Sequence, residues 1–264
     1  MFSKYFAIYK LSFATQINYR LNFFLGRIRN IVILLVLYTL YSTLTKTGSF
    51  AGYTREEFLT YIFLLHILRN FIFGSQSRLA ATEINDGTFS SYFSKPLGHP
   101  LYIYMRELAE RITIVFTSVF ELFVFWLIVE PNLIFQTNFS LLLYFGISVI
   151  LAHFLYFIFS YMVSMIAFWS REAMGPRFLF EWLLEMMSGA YFPISILPIA
   201  VRSIIEIFPF MYMMFIPIQI YLQKIPLSEV PSTLFVQTIW VFVLFFGAYA
   251  LWKLGLKKYT SEGI

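Results

Sequence analysis

The chain contains no cysteine and little charge. With no Cys among 264 residues, disulfides and Cys-ligated zinc or iron–sulfur centres are excluded. Its three histidines, His66, His99 and His153, lie too far apart to make a metal-binding motif. Charged residues are 12% of the total, about half the share of a soluble domain. No GxxxxGK[ST] loop occurs, so the chain cannot cradle and hydrolyse ATP by itself in the usual way. No GxSxG elbow and no HExxH helix occurs either, and no catalytic residue is assigned. Any energy coupling has to come from a partner or an ion gradient. No internal repeat is visible, which argues against carriers built from inverted halves.

What is present is apolar. Hydrophobic residues are 59%, with 33 Phe and 18 Tyr, and the mean hydropathy is +0.74. From Pro131 to Ser170 there is no charged side chain, and a bilayer core about 30 Å thick needs only about 20 apolar helical residues. The chain therefore reads as an all-α integral membrane protein. The net charge of +5 is scattered over the ends of hydrophobic segments, which suits headgroups and loops rather than nucleic acid.

Six spans are expected, at 22–44, 57–74, 112–129, 139–169, 178–192 and 230–252. Before them, Phe2, Tyr5, Phe6, Tyr9, Phe13 and Ile17 recur at helical spacing, with Lys4, Lys10, Ser12 and Gln16 elsewhere on the wheel. This predicts an interfacial helix over 1–20, retained rather than cleaved as a signal. Arg27 and Arg29 are expected to snorkel to the inner headgroups. With the N-terminus inside, fourteen of the 19 Lys and Arg fall on inner segments, four on outer ones, and Arg69 within a span. The positive-inside rule then places both termini in the cytoplasm.

The stretch after the fifth span is apolar but broken by Gly189, Pro193, Pro198, Pro209 and Pro217. Proline stops a regular helix, and irregular backbone at membrane depth must be buried in protein or line a cavity. Outer re-entrant helices are expected over 193–225. The competing reading makes Ile207 to Gln223 a seventh span. That would put Lys253, Lys257 and Lys258 outside.

Two inner segments exceed a plain connector. One covers 75–111 and carries Ala81-Thr82-Glu83-Ile84-Asn85-Asp86-Gly87-Thr88-Phe89, then Lys95-Pro96-Leu97. The other is Arg171-Glu172-Ala173-Met174-Gly175-Pro176-Arg177. The first, together with Ser188-Gly189-Ala190-Tyr191-Phe192-Pro193, Leu197-Pro198 and Phe208-Pro209, resembles the membrane subunit of an ATP-binding-cassette (ABC) exporter of the type-two permease family. The resemblance covers nearly the whole chain in order, through short motifs. It implies an interfacial helix, six spans, a cytoplasmic coupling helix between spans two and three, and outer re-entrant helices. It implies two permease chains, identical or related, each docked on a separate nucleotide-binding ATPase that holds the ATP and Mg, with no cofactor on this chain. Glu83, Asp86, Gly87, Lys95, Pro96, Arg171 and Arg177 would serve coupling. The expected setting is a prokaryotic inner membrane.

Carboxylates inside a bilayer are costly unless paired, protonated or solvated. Glu121 falls in the third span. Glu181 and Glu185 lie one turn apart on one face of the fifth. They either line a polar vestibule in contact with cargo or water, or are structural, pairing with Arg69, Arg171 or Arg177 or bonding to Ser and Tyr hydroxyls. Gly189, Pro193 and Pro198 would shape an outer gate. His153 reads as a hydrogen-bonded core residue. Met186, Met187, Met211, Met213 and Met214 give an adaptable surface or plain packing. With no dense polar site visible, a hydrophobic or amphipathic cargo is expected. The rival readings are a proton-coupled carrier or channel using Glu121, Glu181, Glu185 and His153, and a membrane scaffold without transport.

Overall fold

A computed structural model of the chain describes residues 2–18, 20–46, 48–74, 76–95 and 98–259. Pro96, one of the coupling residues expected from the sequence, lies outside them. The fold is 79% helix, without strands among the described residues. Among the described residues ten α-helices follow in order: α1 (Phe2–Asn18), α2 (Arg20–Leu44), α3 (Arg55–Ile72), α4 (Ser77–Asn85), α5 (His99–Val129), α6 (Phe139–Ser164), α7 (Met174–Met187), α8 (Ile199–Ile205), α9 (Phe215–Tyr221) and α10 (Val230–Lys258). Short 3-10 segments, among them Thr88–Ser94 and Met165–Phe168, join them.

Local chemistry sets several boundaries. Thr54 and Glu57 form a capping box that starts α3, satisfying two otherwise unpaired helix-end amides. The Asn138 side chain accepts from the amides of Ser140 and Leu141 to start α6. Pro100 and Pro231 sit in the first turns of α5 and α10, where no amide donor is needed. α5 begins at His99, well before the expected start of the third span near Ile112. Its first turns are polar, and Arg111 pairs with both Glu107 and Glu110 there.

Among the described residues five helices are long and apolar enough to cross a membrane: Phe24–Leu44, Arg55–Asn85 (α3 continuing towards α4), His99–Val129, Phe139–Phe168 and Val230–Lys258. The stretch expected as the fifth crossing forms α7. Its 14 residues extend about 21 Å at 1.5 Å per residue. The apolar stretch after it is divided into 3-10 turns, α8 and α9. Ile207 to Gln223 forms no continuous spanning helix.

α3 is the axis of the bundle. Of the most apolar window of the Arg55–Asn85 span 71% is buried, against 6% for α10, so protein surrounds α3 while α10 exposes most of its surface. α2, α5 and α6 pack around α3, and α10 and α9 pack on α6. Two cores form. One joins Tyr53, Phe58 and Tyr61 to Met213, Met214 and Ile218, at the end of the bundle that holds α8 and α9. The other gathers around Phe89 at the α4 end. The Phe89 ring meets Trp252 at 5.5 Å, Phe168 at 5.8 Å and Tyr259 at 5.1 Å, each edge to face. This geometry favours aromatic pairs beyond simple area burial. It fixes the 88–94 turn to the ends of α6 and α10.

Candidate functional site

The polar residues converge at the α4 end. A cavity of about 830 Å³ lies between α1, the start of α2, the end of α3, the start of α5 and α7. Arg27, Arg29, Arg69, Arg78, Arg106 and Arg111 line it, with Glu110, Glu181 and Glu185. Ile8, Leu11, Ile33 and Ile114 supply apolar wall. The volume suits a drug-sized ligand, for which pockets run about 300–1,000 Å³. Sequence reasoning missed this site, because its arginines come from separate helix ends and each reads singly as an interfacial cation.

Each intramembrane carboxylate named from the sequence has a cationic or histidine partner. Glu121 Oε2 lies 3.0 Å from His66 Nε2, and its Oε1 lies 3.5 Å from Arg27 Nη1. Arg27 turns inward rather than out to headgroups: it donates to Ser118 Oγ at 3.0 Å and to Asn70 Oδ1 at 3.0 Å. α2, α3 and α5 are thereby joined by one polar network. Glu185 pairs with Arg69 and accepts from the Tyr191 hydroxyl at 2.7 Å. Arg69 also lies 4.9 Å from the Tyr191 ring centre, close enough for a cation–π contact.

Glu181 is held from two sides. Arg177 Nη2 contacts its Oε1 at 2.7 Å and Arg78 Nη2 its Oε2 at 2.6 Å. Arg177 is 1% exposed. It donates to Ser77 Oγ and Ser160 Oγ at 2.7 Å each, to Ser160 O at 3.0 Å, and to Ser164 Oγ. One guanidinium thus binds α4, α6 and α7 together. Its planar fork makes this possible.

The coupling residues expected from the sequence divide by exposure. Asp86, Lys95 and Arg171 are exposed. Glu83 turns inward, accepting from the Tyr92 hydroxyl at 3.1 Å and lying 2.8 Å from His99 Nε2. Burial, with Tyr102 and Glu83 beside it, pushes the Tyr92 phenol well up, so it stays a donor. Gly87 has φ of 76°, left-handed backbone that glycine adopts without a Cβ penalty, and it ends α4. Asn85 Nδ2 donates to Arg171 O at 2.8 Å, joining the two inner segments. Phe93, not singled out in the sequence, is 66% exposed on the same surface. Its signal was present: a Phe next to polar Ser91, Ser94 and Lys95.

At the opposite end, Gly189 has φ of 86° and its carbonyl accepts from Tyr61 Oη at 2.8 Å. Pro193 is buried and Pro198 exposed, each at the start of a short helical segment. Met213 and Met214 are fully buried, Met186, Met187 and Met211 partly so. His153 Nδ1 lies 3.2 Å from Phe71 O. No cluster of three or more His, Asp or Glu suited to a metal exists among the described residues.

A family model described as ABC-2 family transporter protein matches residues 28–263, most of the chain. The chain belongs to this family. It is a membrane permease subunit of an ABC-2 type transporter, and permeases of this family work in association with an ATP-binding subunit. No curated protein matches the chain. The permease match covers the cavity-lining helices α3, α5, α6 and α7 entirely and spares α1.

Proposed function

We propose that this permease is one transmembrane half of an exporter. It moves an amphipathic substrate out of the cytoplasm with energy from ATP, hydrolysed with Mg on a separate subunit. A second permease chain, identical or related, completes the pathway. α7 with the broken stretch behind it makes the fifth of six crossings and α10 the sixth, α8 and α9 are outer re-entrant helices, and α1 lies in the inner interface. The membrane is the inner membrane of a prokaryote, with both termini in the cytoplasm.

The observation that carries this reading is the 86–95 segment. Its Asp86, Phe93 and Lys95 are exposed while Phe89 beneath them is 2% exposed. Such a segment is a rigid lever with a free contact surface. Glu83 braces it from inside through Tyr92, and Arg177 holds α4 before it through Ser77, so their part in coupling is transmission rather than contact. The pairing of Glu121, Glu181 and Glu185 supports this reading over a proton-coupled carrier, whose carboxylates have to change charge.

Co-expression with a candidate ATP-binding subunit from the same genome tests the proposal. The complex is expected to co-purify, and reconstitution is expected to change its ATP turnover. Phe93→Ala and Asp86→Lys are each expected to weaken docking about tenfold or more, the effect of losing one interface hot spot, with insertion unchanged. Wild-type docking in both variants, or transport driven by a pH gradient without ATPase, would sink the reading.

A further inference from the structure

We propose that the cavity at the α4 end binds an amphiphile with an anionic headgroup, drawn from the adjoining lipid leaflet. The inference rests on the permease reading and adds the charge of the cargo to it. Six guanidinium groups line the cavity against three carboxylates. Glu107 and Glu121, which neighbour this wall, pair with Arg111 and Arg27. Glu110, Glu181 and Glu185 are likewise engaged, by Arg111, by Arg177 with Arg78, and by Arg69. Glu107 and Glu110 share Arg111 while Glu181 holds two cations, so with Arg177 counted seven guanidinium groups meet five carboxylates, an excess of two positive charges.

Two arginines are left over. Among the described residues, neither Arg29 nor Arg106 has a carboxylate partner. Arg106 is aimed rather than loose: its Nε donates to Gln76 Oε1 at 3.3 Å and its Nη1 to Tyr102 Oη at 2.9 Å. That leaves Nη2 for a ligand. An arginine held by neutral groups in a partly dehydrated cavity is a site for phosphate or carboxylate, because charge-assisted, forked hydrogen bonds strengthen there. A cationic cargo would meet only guanidinium groups and spent carboxylates.

The same cavity has an apolar side. Leu11 and Ile33 line it, and Leu11, Leu25 and Ile28 on the outer faces of α1 and α2 are exposed. A hydrocarbon chain whose head sits at Arg29 and Arg106 can leave along these residues into lipid. The volume holds a headgroup and the first part of a chain, not two whole acyl chains, so the tail has to remain partly in the bilayer.

The permease in phosphatidylcholine nanodiscs is titrated with tail-labelled phosphatidylglycerol, tail-labelled phosphatidylcholine, and soluble glycerol phosphate as competitor. Saturable binding of phosphatidylglycerol about tenfold or more tighter than phosphatidylcholine is expected, with glycerol phosphate competing only weakly. Arg29→Gln combined with Arg106→Gln is expected to remove about tenfold or more of that affinity, the effect of lost charge-assisted bonds. Lys253→Gln, outside the cavity, is expected to leave it unchanged. Equal affinity for the two lipids, or undiminished binding in the double variant, overturns the proposal. Glycerol phosphate competing as well as the lipid overturns the amphiphile and leaves a free-anion site. Failure of the ATPase to co-purify bears on the permease assignment alone, since this binding needs no ATP.

Discussion

Arg177 gives the sharpest test of how the α4 end is held together. Its guanidinium serves Ser77 Oγ, Ser160 Oγ and O, Ser164 Oγ and Glu181 Oε1. Adding these bonds at about 1.5–3 kcal/mol each overshoots, because the desolvation of a 1% exposed cation opposes them. Its Nε also lacks a hydrogen-bond partner among the described residues, which lowers the net further. Breaking a buried ion pair by removing one partner costs about 3–5 kcal/mol. Arg177→Met lands at the lower end, since Arg78 remains to hold Glu181 at 2.6 Å. Arg177→Lys keeps the charge but cannot fork between Ser77 and Glu181, so it falls between wild type and Met. Denaturant unfolding of the permease in mixed micelles measures this. A double-mutant cycle with Glu181→Gln is expected to show coupling of about 0.5–3 kcal/mol, the range for residues in one network. Additive losses in the cycle, or a loss below 1 kcal/mol for Arg177→Met, would refute the clamp.

Two further outcomes follow from the geometry. Gly189→Ala puts a Cβ 3.0 Å from both Phe215 Cβ and Tyr61 Oη at a φ of +86°. The left-handed backbone alone costs about 1–2 kcal/mol, so a clear loss of thermal stability in detergent is expected; an unchanged melting temperature contradicts the break geometry. Glu121→Gln removes the carboxylate that faces Arg27 and His66, and a loss of about 3–5 kcal/mol for the broken buried pair is expected in the same unfolding assay. A fully stable Glu121→Gln variant that has lost pH-gradient transport favours the proton-carrier reading instead.

The legible parts of the chain were those written in local pattern. Helix type and the long apolar segments come from composition and spacing, which a single segment carries. The one-turn spacing of Glu181 and Glu185 places them on one face, and Arg69 and Arg177 lie within reach of that face as candidate partners. What stayed hidden depends on distant segments meeting. Arg78 reaches Glu181 across 103 positions, and no spacing rule relates them. Glu121 meets His66 across 55 for the same reason. Glu83 reads as a surface charge until His99 is brought against it by the turn at Gly87. Phe89 reads as one aromatic among 33 Phe until α10 and α6 place Trp252 and Phe168 around it. Arg27 and Arg29 illustrate the limit most sharply. They are two positions apart, about 200° around a helix, so they meet different partners although both line the cavity. In linear order both read alike, as interfacial cations. Packing against Ser118 and Asn70 separates them.

Glu181 is where the two proposed roles meet. It lines the cavity and is also the acceptor for Arg78 of α4. The Arg78 side chain is 56% exposed, so its contact with Glu181 is worth little in stability, about 0–1 kcal/mol for an exposed pair. The Arg177 contact is the strong one, and it stays within α7. The carboxylate is therefore anchored to α7 by a buried bond and joined to α4 by a weak one. A displacement of α4 breaks the weak bond first and leaves Arg78, a cavity-lining guanidinium, without its carboxylate. The cavity would then gain a free positive charge as the lever moves, and its hold on an anion would rise or fall with α4. Replacing Arg78 with Gln removes that link at almost no cost to the fold, which separates coupling from stability in one position.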